Sequence, residues 1–516
     1  MVKGDVMNLL TDKAFRIREG RNVKHVSYEE ILCQENDWVS SMFFSDMEFA
    51  QLQMLICMTQ VIFEPKDFDE RQNQYNKPML KKEFDKGVKK FRKFFEVVDS
   101  KTPFMQLYSE EVRIKTNKKS PQSLYPPLPK GNNKIIFNAH NEIENVCPSC
   151  VAKLLFFRPL NGPSMGGGFA SLSRGSLKKV PGKKNPTIVS CPSISVLRED
   201  DSLRKTIWAN VLHKESTEGV YGDNNEPVWT SPWKPDKLED MSKCGMFRGL
   251  FYQPWPIALD WKEKKKTKCD LCGAEVDVIL DSWYSGKIKL PRTGWFNHPH
   301  SISRMPEDNP NTIRHHVGFR EGETVWSDFL WYFFKKDFFC EPPYIMRDVA
   351  GDVNPKNSHF RALVGGYRLN SKMTNIDQKC FDSISIHRGF FGNKTVLSKI
   401  IEKITEVRQA LDFALLKLGN GENNRRFKTR TIANNAIREA NQRFFFEIEA
   451  LVFNALDKEI MYEELDDFLS SLKTTVREIF EDQTEPFSDK LAKQVAYGKN
   501  TLESKLSKIN KEDEDE

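Results

Sequence analysis

Cys147-Pro-Ser-Cys150 and Cys269-Asp-Leu-Cys272 are two copies of one pattern, and whether they meet decides how this chain folds. A C-x-x-C spacing lets two thiolates reach one ion from a tight turn, and two such turns complete a tetrahedral Cys₄ site. The stretch between them is far longer than in a compact zinc ribbon. Zinc held by Cys147, Cys150, Cys269 and Cys272 would therefore pin two distant loops of a larger fold. As free thiols in a reducing compartment, the same residues would pin nothing.

Outward from the cysteines, composition sets the limits. A chain of 516 residues with 39% hydrophobic and 29% charged residues has room for several domains and a sizeable core. Ten cysteines without a secretory signal fit a reduced, cytoplasmic protein with dedicated metal ligands better than a disulfide framework. No apolar run approaches the ~18–20 residues of a membrane span. The net charge of +6 is mild but uneven. Basic clusters recur at Lys81-Lys82, Lys89-Lys90, Lys118-Lys119, Lys178-Lys179, Lys183-Lys184 and Lys262 to Lys268, whereas residues 511–516 form an acidic tail. One lysine run is usually a solvated face; several on one long domain point to a polyanionic partner.

The pattern along the chain predicts an α+β protein. Residues 1–6 read as an extension, and Met7-Asn-Leu-Leu10 opens a short strand pattern. An apolar helix is expected over 46–63, capped by Asp46, and a basic helix over 81–97 with Phe91, Phe94 and Phe95 facing the core. From 101 to about 295, short apolar runs broken by Pro and Gly predict an irregular mixed α/β domain rich in loops. Beyond it, 393–418, 432–456, 460–480 and a stretch through Leu491, Val495, Leu502 and Leu506 carry apolar stripes of helical period. Short connections make them an antiparallel four-helix bundle. The expected division is 7–378 for the mixed domain with the zinc site, 379–510 for the bundle and 511–516 for a disordered tail.

His298-Pro-His300 and His315-His316 raise the possibility of a metal-dependent nuclease, but no Asp/Glu cluster of metal-site type lies nearby, and proline restricts convergence of the imidazoles. Neither a Walker A loop nor a G-x-S-x-G elbow is present.

An ordered set of blocks now carries more information than any one of them. Met7-Asn-Leu-Leu10, Pro103-Phe-Met-Gln106, the first Cys pair, Gly166-Gly-Gly-Phe169, Arg248-Gly-Leu-Phe-Tyr-Gln-Pro254, the second Cys pair, His298-Pro-His300 and Gly365-Gly-Tyr-Arg368 stand ahead of a helical bundle. In this order the chain resembles the large subunit (CasA) of Cascade, the type I-E CRISPR surveillance complex of prokaryotes, from Met7 to about Asn510. The resemblance implies a Cys₄ zinc site, a large N-terminal domain and a C-terminal four-helix bundle. It further implies a non-catalytic, cytoplasmic subunit in antiviral defence. Such a subunit inspects double-stranded DNA for a protospacer-adjacent motif (PAM), promotes duplex opening and R-loop formation, and recruits a helicase-nuclease in trans. Its other partners are guide RNA, the small subunits, and the backbone and 5′-handle-binding subunits. Two alternatives remain at this point: a metal-dependent nuclease and a stand-alone zinc-containing RNA-binding protein.

The same resemblance implies roles for particular residues. Gly166, Gly167 and Gly168 match a glycine loop that approaches the PAM from the minor groove, where a backbone without Cβ can reach the groove floor. Lys287 stands where the family places a lysine finger, although Lys289 would point the same way in a strand. Phe137 and Asn138 match a loop at the guide's 5′ handle and the PAM, suited to stacking and edge recognition. Asn370, Ser371 and Lys372 occupy the place of the strand wedge. The family presents glutamine where this chain has Ser371, which is too short to fill the gap left by an unstacked pair.

Overall fold

The computed structural model describes residues 7–509 apart from 99, 108–109, 111–112, 114–115, 128–141, 163–193, 235–236, 238, 287–291, 305–314, 321, 335–339, 347–357, 370–375, 393, 420–425 and 459–463. The chain forms two compact units. The first comprises Met1–Phe319, Glu341–Asn354 and Ala362–Asp382; the second comprises Arg320–Cys340, Pro355–Arg361 and Ser383–Glu516.

The first unit is built around two helices that have no solvent side. β1 (Phe15–Glu19) pairs antiparallel with β2 (Asn22–Val26) and with β3 (Val39–Ser40). Between β2 and β3, α1 (Tyr28–Cys33) starts on a capping box, in which Glu30 N donates to Ser27 Oγ and Ser27 N to Glu30. α2 (Ser45–Phe63) is apolar nearly all round and buried nearly throughout, as expected of a core helix. Two of its buried glutamines mimic backbone. The Gln51 amide accepts from Arg16 N at 3.1 Å and donates to Arg16 O at 2.7 Å, and Gln60 does the same for Leu212 at 2.6 and 3.1 Å. α3 (Phe68–Asn76) and α4 (Lys81–Lys89) follow. α5 (Pro148–Asn161) starts with Pro at its first position, where no N–H is missed, and all of its residues are buried.

Three local expectations change here. Met7 to Leu10 keeps only an isolated antiparallel bridge, Asn8 to Glu96, and then turns, because the Asn8 side chain accepts from Leu10 N at 3.0 Å and Asn8 N donates to Asp12. α4 ends at Lys89 and a 3₁₀ turn over Arg92–Phe94 replaces its last turns. This bend gathers Phe91, Phe94 and Phe95 around one ring, Phe247, at 5.8, 5.5 and 5.9 Å, with only Phe95 fully buried. Removing the buried Phe95 ring would cost about 3–5 kcal/mol. Asp46 does not cap α2: Phe44 holds that position and the Asp46 carboxylate turns inward.

Two further sheet elements complete this unit. β4 (Ser195–Glu199) lies in a three-stranded sheet with β7 (His359–Leu369) and β8 (Ile376–His387), β7 in the middle. β5 (Ile257–Lys268) and β6 (Glu275–Ser285) form a long antiparallel hairpin from Ile257↔Ser285 to Lys268↔Glu275, with register shifts at Asp260/Trp261 and Glu263/Thr267.

The second unit is helical. α6 (Val325–Phe334) packs through Trp326 on Phe445 and Phe453 at 5.7 and 6.2 Å. α7 (Lys394–Leu415), α8 (Arg426–Lys458), α9 (Leu465–Thr484) and α10 (Ala492–Leu506) form the bundle. The predicted stripes are its core: Ile400, Ile404, Val407 and Leu411, then Ala440, Phe444 and Ile448, then Leu472, Val476 and Ile479, then Leu502 and Leu506 are all buried. Pairing of Arg477 with Glu503 and of Glu481 with Lys499 fixes α9 and α10 antiparallel. Gly498 lets these helices approach closely, since a Cβ there would sit 2.9 Å from Ala414 O and from the Phe480 ring. No helix among the described residues is long and apolar enough to cross a membrane.

Candidate metal centre and nucleic-acid interface

The two Cys pairs meet. Cys147 holds the N-cap position of α5 and Cys150 lies in its first turn; Cys269 and Cys272 form the tip of the β5–β6 hairpin. Backbone and carboxylate contacts bring the turns together. Asp270 N donates to Asn145 O at 2.9 Å, Leu280 N to Val146 O at 2.9 Å, and the Asp270 carboxylate accepts from Glu144 N and Asn145 N at 2.8 and 2.7 Å. Gly273 closes the second turn at φ +72°, in the left-handed region, with its N–H on Cys269 O at 2.8 Å.

All four Sγ atoms lie within 4.8 Å of one another and are buried. Cys147 and Cys272 are 3.7 Å apart, and Cys147 N donates to Cys269 Sγ at 3.4 Å. A tetrahedral ion with bonds of about 2.3 Å to sulfur requires S···S edges near ~3.8 Å, so the four thiols fit zinc in number, chemistry and span. No disulfide joins them. They also cannot all ionise alone. Cys147 is held below the ordinary thiol range by hydrogen bonds from Cys150 and then Cys269, and Cys272 by those from Cys147 first. Cys150 and Cys269 are held above it, with Cys147 the leading neighbour in each case. A divalent cation removes that conflict.

Of the residues assigned to nucleic acid from the sequence, Phe137, Asn138, Gly166, Gly167, Gly168, Lys287, Asn370, Ser371 and Lys372 lie outside the described residues. Their described flanks share one polar network. Tyr125, just before 128–141, donates to Asp46 Oδ1 at 2.9 Å, and Tyr367, just before 370–375, donates to Asp46 Oδ2 at 2.7 Å. Lys379, on the return strand β8, donates to the Tyr125 hydroxyl at 2.6 Å and pairs with Asp46 at 3.4 Å. Next to Tyr125, the carbonyls of Ser123 and Leu124 accept from Arg158 near the end of α5, at 3.1 and 2.6 Å. Arg158 lies over the Trp283 ring at 5.5 Å, and Trp283 Nε1 donates to Ser120 O and Ser123 Oγ at 3.1 and 2.9 Å. Lys119 bonds Ser285, two residues before Lys287. Burial lowers the Arg158 guanidinium to about 10, which leaves it cationic at neutral pH.

Sequence reasoning missed this network. Its only linear trace is an Asp in the first turn of an otherwise apolar helix, which reads equally well as a cap.

The basic run on β5 divides. Lys262 and Lys118 share Asp281 at 3.4 and 2.7 Å, and Lys264 reaches Asn145, whereas Lys265, Lys266 and Lys268 are exposed at the metal-centre end of the hairpin. The histidine block is core. His298, His300 and His316 are buried, with His298 centred 5.2 Å from His300 and 6.3 Å from His316, and Trp295 lies 4.3 Å from His316. Burial depresses His300 to about 3 and, together with His300, holds His298 well below the imidazole range. Among the described residues, only the four cysteines bring three or more His, Cys, Asp or Glu ligand atoms close enough for one ion.

Comparison with known proteins agrees with this architecture. The family model for CRISPR-associated protein Cse1 matches residues 8–482. Among solved structures, Cse1 from Acidimicrobium ferrooxidans aligns at TM-score 0.70 and 15% identity over 99% of each chain. A Thermus thermophilus protein described as CasA (Cse1) aligns at 0.71 and 12%, over 98% of this chain and 100% of that one. A chain of a CRISPR RNA-guided surveillance complex aligns at 0.64 and 12%, over 98% and 99%. The double use of CasA and Cse1 for one protein joins these matches to the resemblance carried by the sequence blocks. With its family match spanning nearly the whole sequence and its fold shared end to end, the chain belongs to the Cse1 family of CRISPR-associated proteins.

Proposed function

We propose that this chain is the non-catalytic large subunit of a type I-E Cascade complex, reading the PAM of double-stranded DNA from the minor groove and helping to open the duplex. In this reading Gly166, Gly167 and Gly168 approach the groove floor, Lys287 donates to base acceptors there, and Phe137 and Asn138 contact the guide handle and PAM region. The segment of Asn370, Ser371 and Lys372 enters the opened step. Guide RNA supplies most of the sequence specificity, and a helicase-nuclease is recruited in trans.

The observation that supports this most is the shared base of these segments. The flanks of 128–141, of Lys287 and of 370–375 are bonded into one polar network with Arg158 of α5, whose C-terminal end leads to the glycine segment. Four sequence-distant elements with a common footing suit a single ligand better than four separate tasks. The exposed Lys265, Lys266 and Lys268 add a sequence-independent attraction for phosphate, which makes binding fall steeply with salt.

The test uses the assembled complex. Gly167→Leu is expected to abolish discrimination between PAM and non-PAM duplexes while co-purification with guide RNA and the smaller subunits persists; retained discrimination would overturn the assignment. The complex without helicase-nuclease is expected to leave DNA uncut in divalent metal. Cutting that disappears in His298→Ala would instead make the chain a nuclease.

A further inference from the structure

Lys153 is 1% exposed in the interior of α5, one turn beyond Cys150 on the same helix face. Its Nζ donates to Ala14 O at 2.8 Å and to Ser149 O at 3.4 Å, and it lies 5.4 Å from the centre of the Phe15 ring. Both acceptors are neutral, and no carboxylate pairs with it among the described residues. Lysine is almost never buried so completely without a partner of opposite charge, because neutral carbonyls do not replace the hydration of an ammonium.

The missing countercharge has a place in the same corner of the fold. Ser149, whose carbonyl accepts from Lys153, carries a hydroxyl 3.2 Å from Cys147 Sγ. A divalent ion bound by four thiolates leaves a centre with two net negative charges. Cys147 N–H and the Ser149 hydroxyl, both neutral, and the His25 side chain at Cys272 are the polar groups seen at its sulfurs besides the cysteines. A buried cation without an anion thus adjoins a site that becomes a buried anion on loading.

We infer that Lys153 is a buried counter-ion of the tetrathiolate metal centre, linking metal loading to the seating of α5 against Ala14, the residue before β1. The inference rests on the Cys₄ site taking a divalent ion. Each group alone is a liability in the core; together they compensate, so zinc affinity depends on the lysine charge. Lys153 touches no ligand atom in this geometry and acts as a positioning and charge-balancing residue.

Two substitutions of the full chain separate charge from packing. Lys153→Gln keeps an N–H donor toward Ala14 and removes the charge; Lys153→Met removes both. Zinc affinity is read by competition with a chelator, and the donor energy of the thiolates by the sulfur-to-metal charge-transfer band of the Co²⁺-substituted protein. Both variants are expected to bind one ion about 10- to 100-fold more weakly, the range typical of outer-shell partners, and to show a displaced charge-transfer band. Wild-type affinity and spectrum in Lys153→Gln would overturn the inference, whatever Lys153→Met does to stability. A wild-type chain that takes up no zinc would instead remove the metal centre itself. If Lys153→Met fails to fold, Lys153→Gln still decides the matter.

Discussion

Four sulfur atoms carry the clearest chemistry in this chain. Their mutual span suits one tetrahedral ion, and the thiols left alone oppose one another's ionisation. Metal analysis of the purified protein is expected to give one zinc per chain, lost in Cys150→Ser. The melting temperature of that variant should fall clearly, because structural zinc is worth about 10 kcal/mol in small zinc modules and each kcal/mol moves even a domain of about 200 residues by ~2–4 °C. A metal-free protein with an unchanged melt would remove zinc from the fold. The buried histidines act at the same scale with a different sign of control. His298 and His300 are depressed from 6.5, so the stability they contribute is complete above pH 6.5 and is lost as the pH falls toward about 3.

Among the elements, the β7–β8 hairpin shows how a single polar residue can organise distant strands. Asp46, at the start of α2, holds Tyr367 on β7 and Lys379 on β8, and Tyr125 joins them from a third segment. Tyr367→Phe removes one hydrogen bond to a buried carboxylate, which costs about 1.5–3 kcal/mol. In the assembled complex it is expected to slow the opening of a fully paired target, followed by 2-aminopurine fluorescence, while binding to a target already unpaired beside the PAM stays normal. Equal losses on both targets would mean that the network only stabilises the fold. Normal opening in an Asn370→Gly, Ser371→Gly, Lys372→Gly triple variant would separately dismiss the wedge role of that segment.

Over the whole molecule, the buried histidines of the first unit and Asp328 of the second carry opposite dependences on pH. In the second unit, Asp328 is raised to about 7 by burial, against the pull of Arg320 at 2.6 Å. A carboxyl raised in the folded state contributes stability that is complete below its ordinary value of 3.8 and is lost as the pH rises through about 7. Moving from pH 5 toward 8 should therefore restore the histidine contribution in the first unit, opposed there by Glu48 and Glu64, whose carboxyls burial raises, and remove the Asp328 contribution in the second. Each effect has a slope of up to about 1.4 kcal/mol per pH unit for each proton involved. Hydrogen exchange read unit by unit checks this, with Asp328→Asn expected to flatten the trend in the second unit alone; parallel trends in both units would contradict it.

The paired C-x-x-C turns, the α+β class and the apolar stripes of the bundle were legible in the linear chain because each rests on local spacing. Two thiolates with two residues between them suit one ion, and a stripe of period 3.6 must bury one face. The ordered blocks named the family for a related reason, since Arg248, Tyr367, Gly365 and Phe104 mark buried, tightly fitted positions. The polar interior was decided only by tertiary structure. Lysine in a helix reads as a surface residue until the chain closes Ala14 over Lys153, and Asp46 reads as a cap until two tyrosines and a lysine from remote segments reach it. Local sequence dictates which residues prefer to be buried. It does not dictate which distant donor will meet a buried acceptor, because that partner is fixed by long-range packing and contributes nothing to local periodicity.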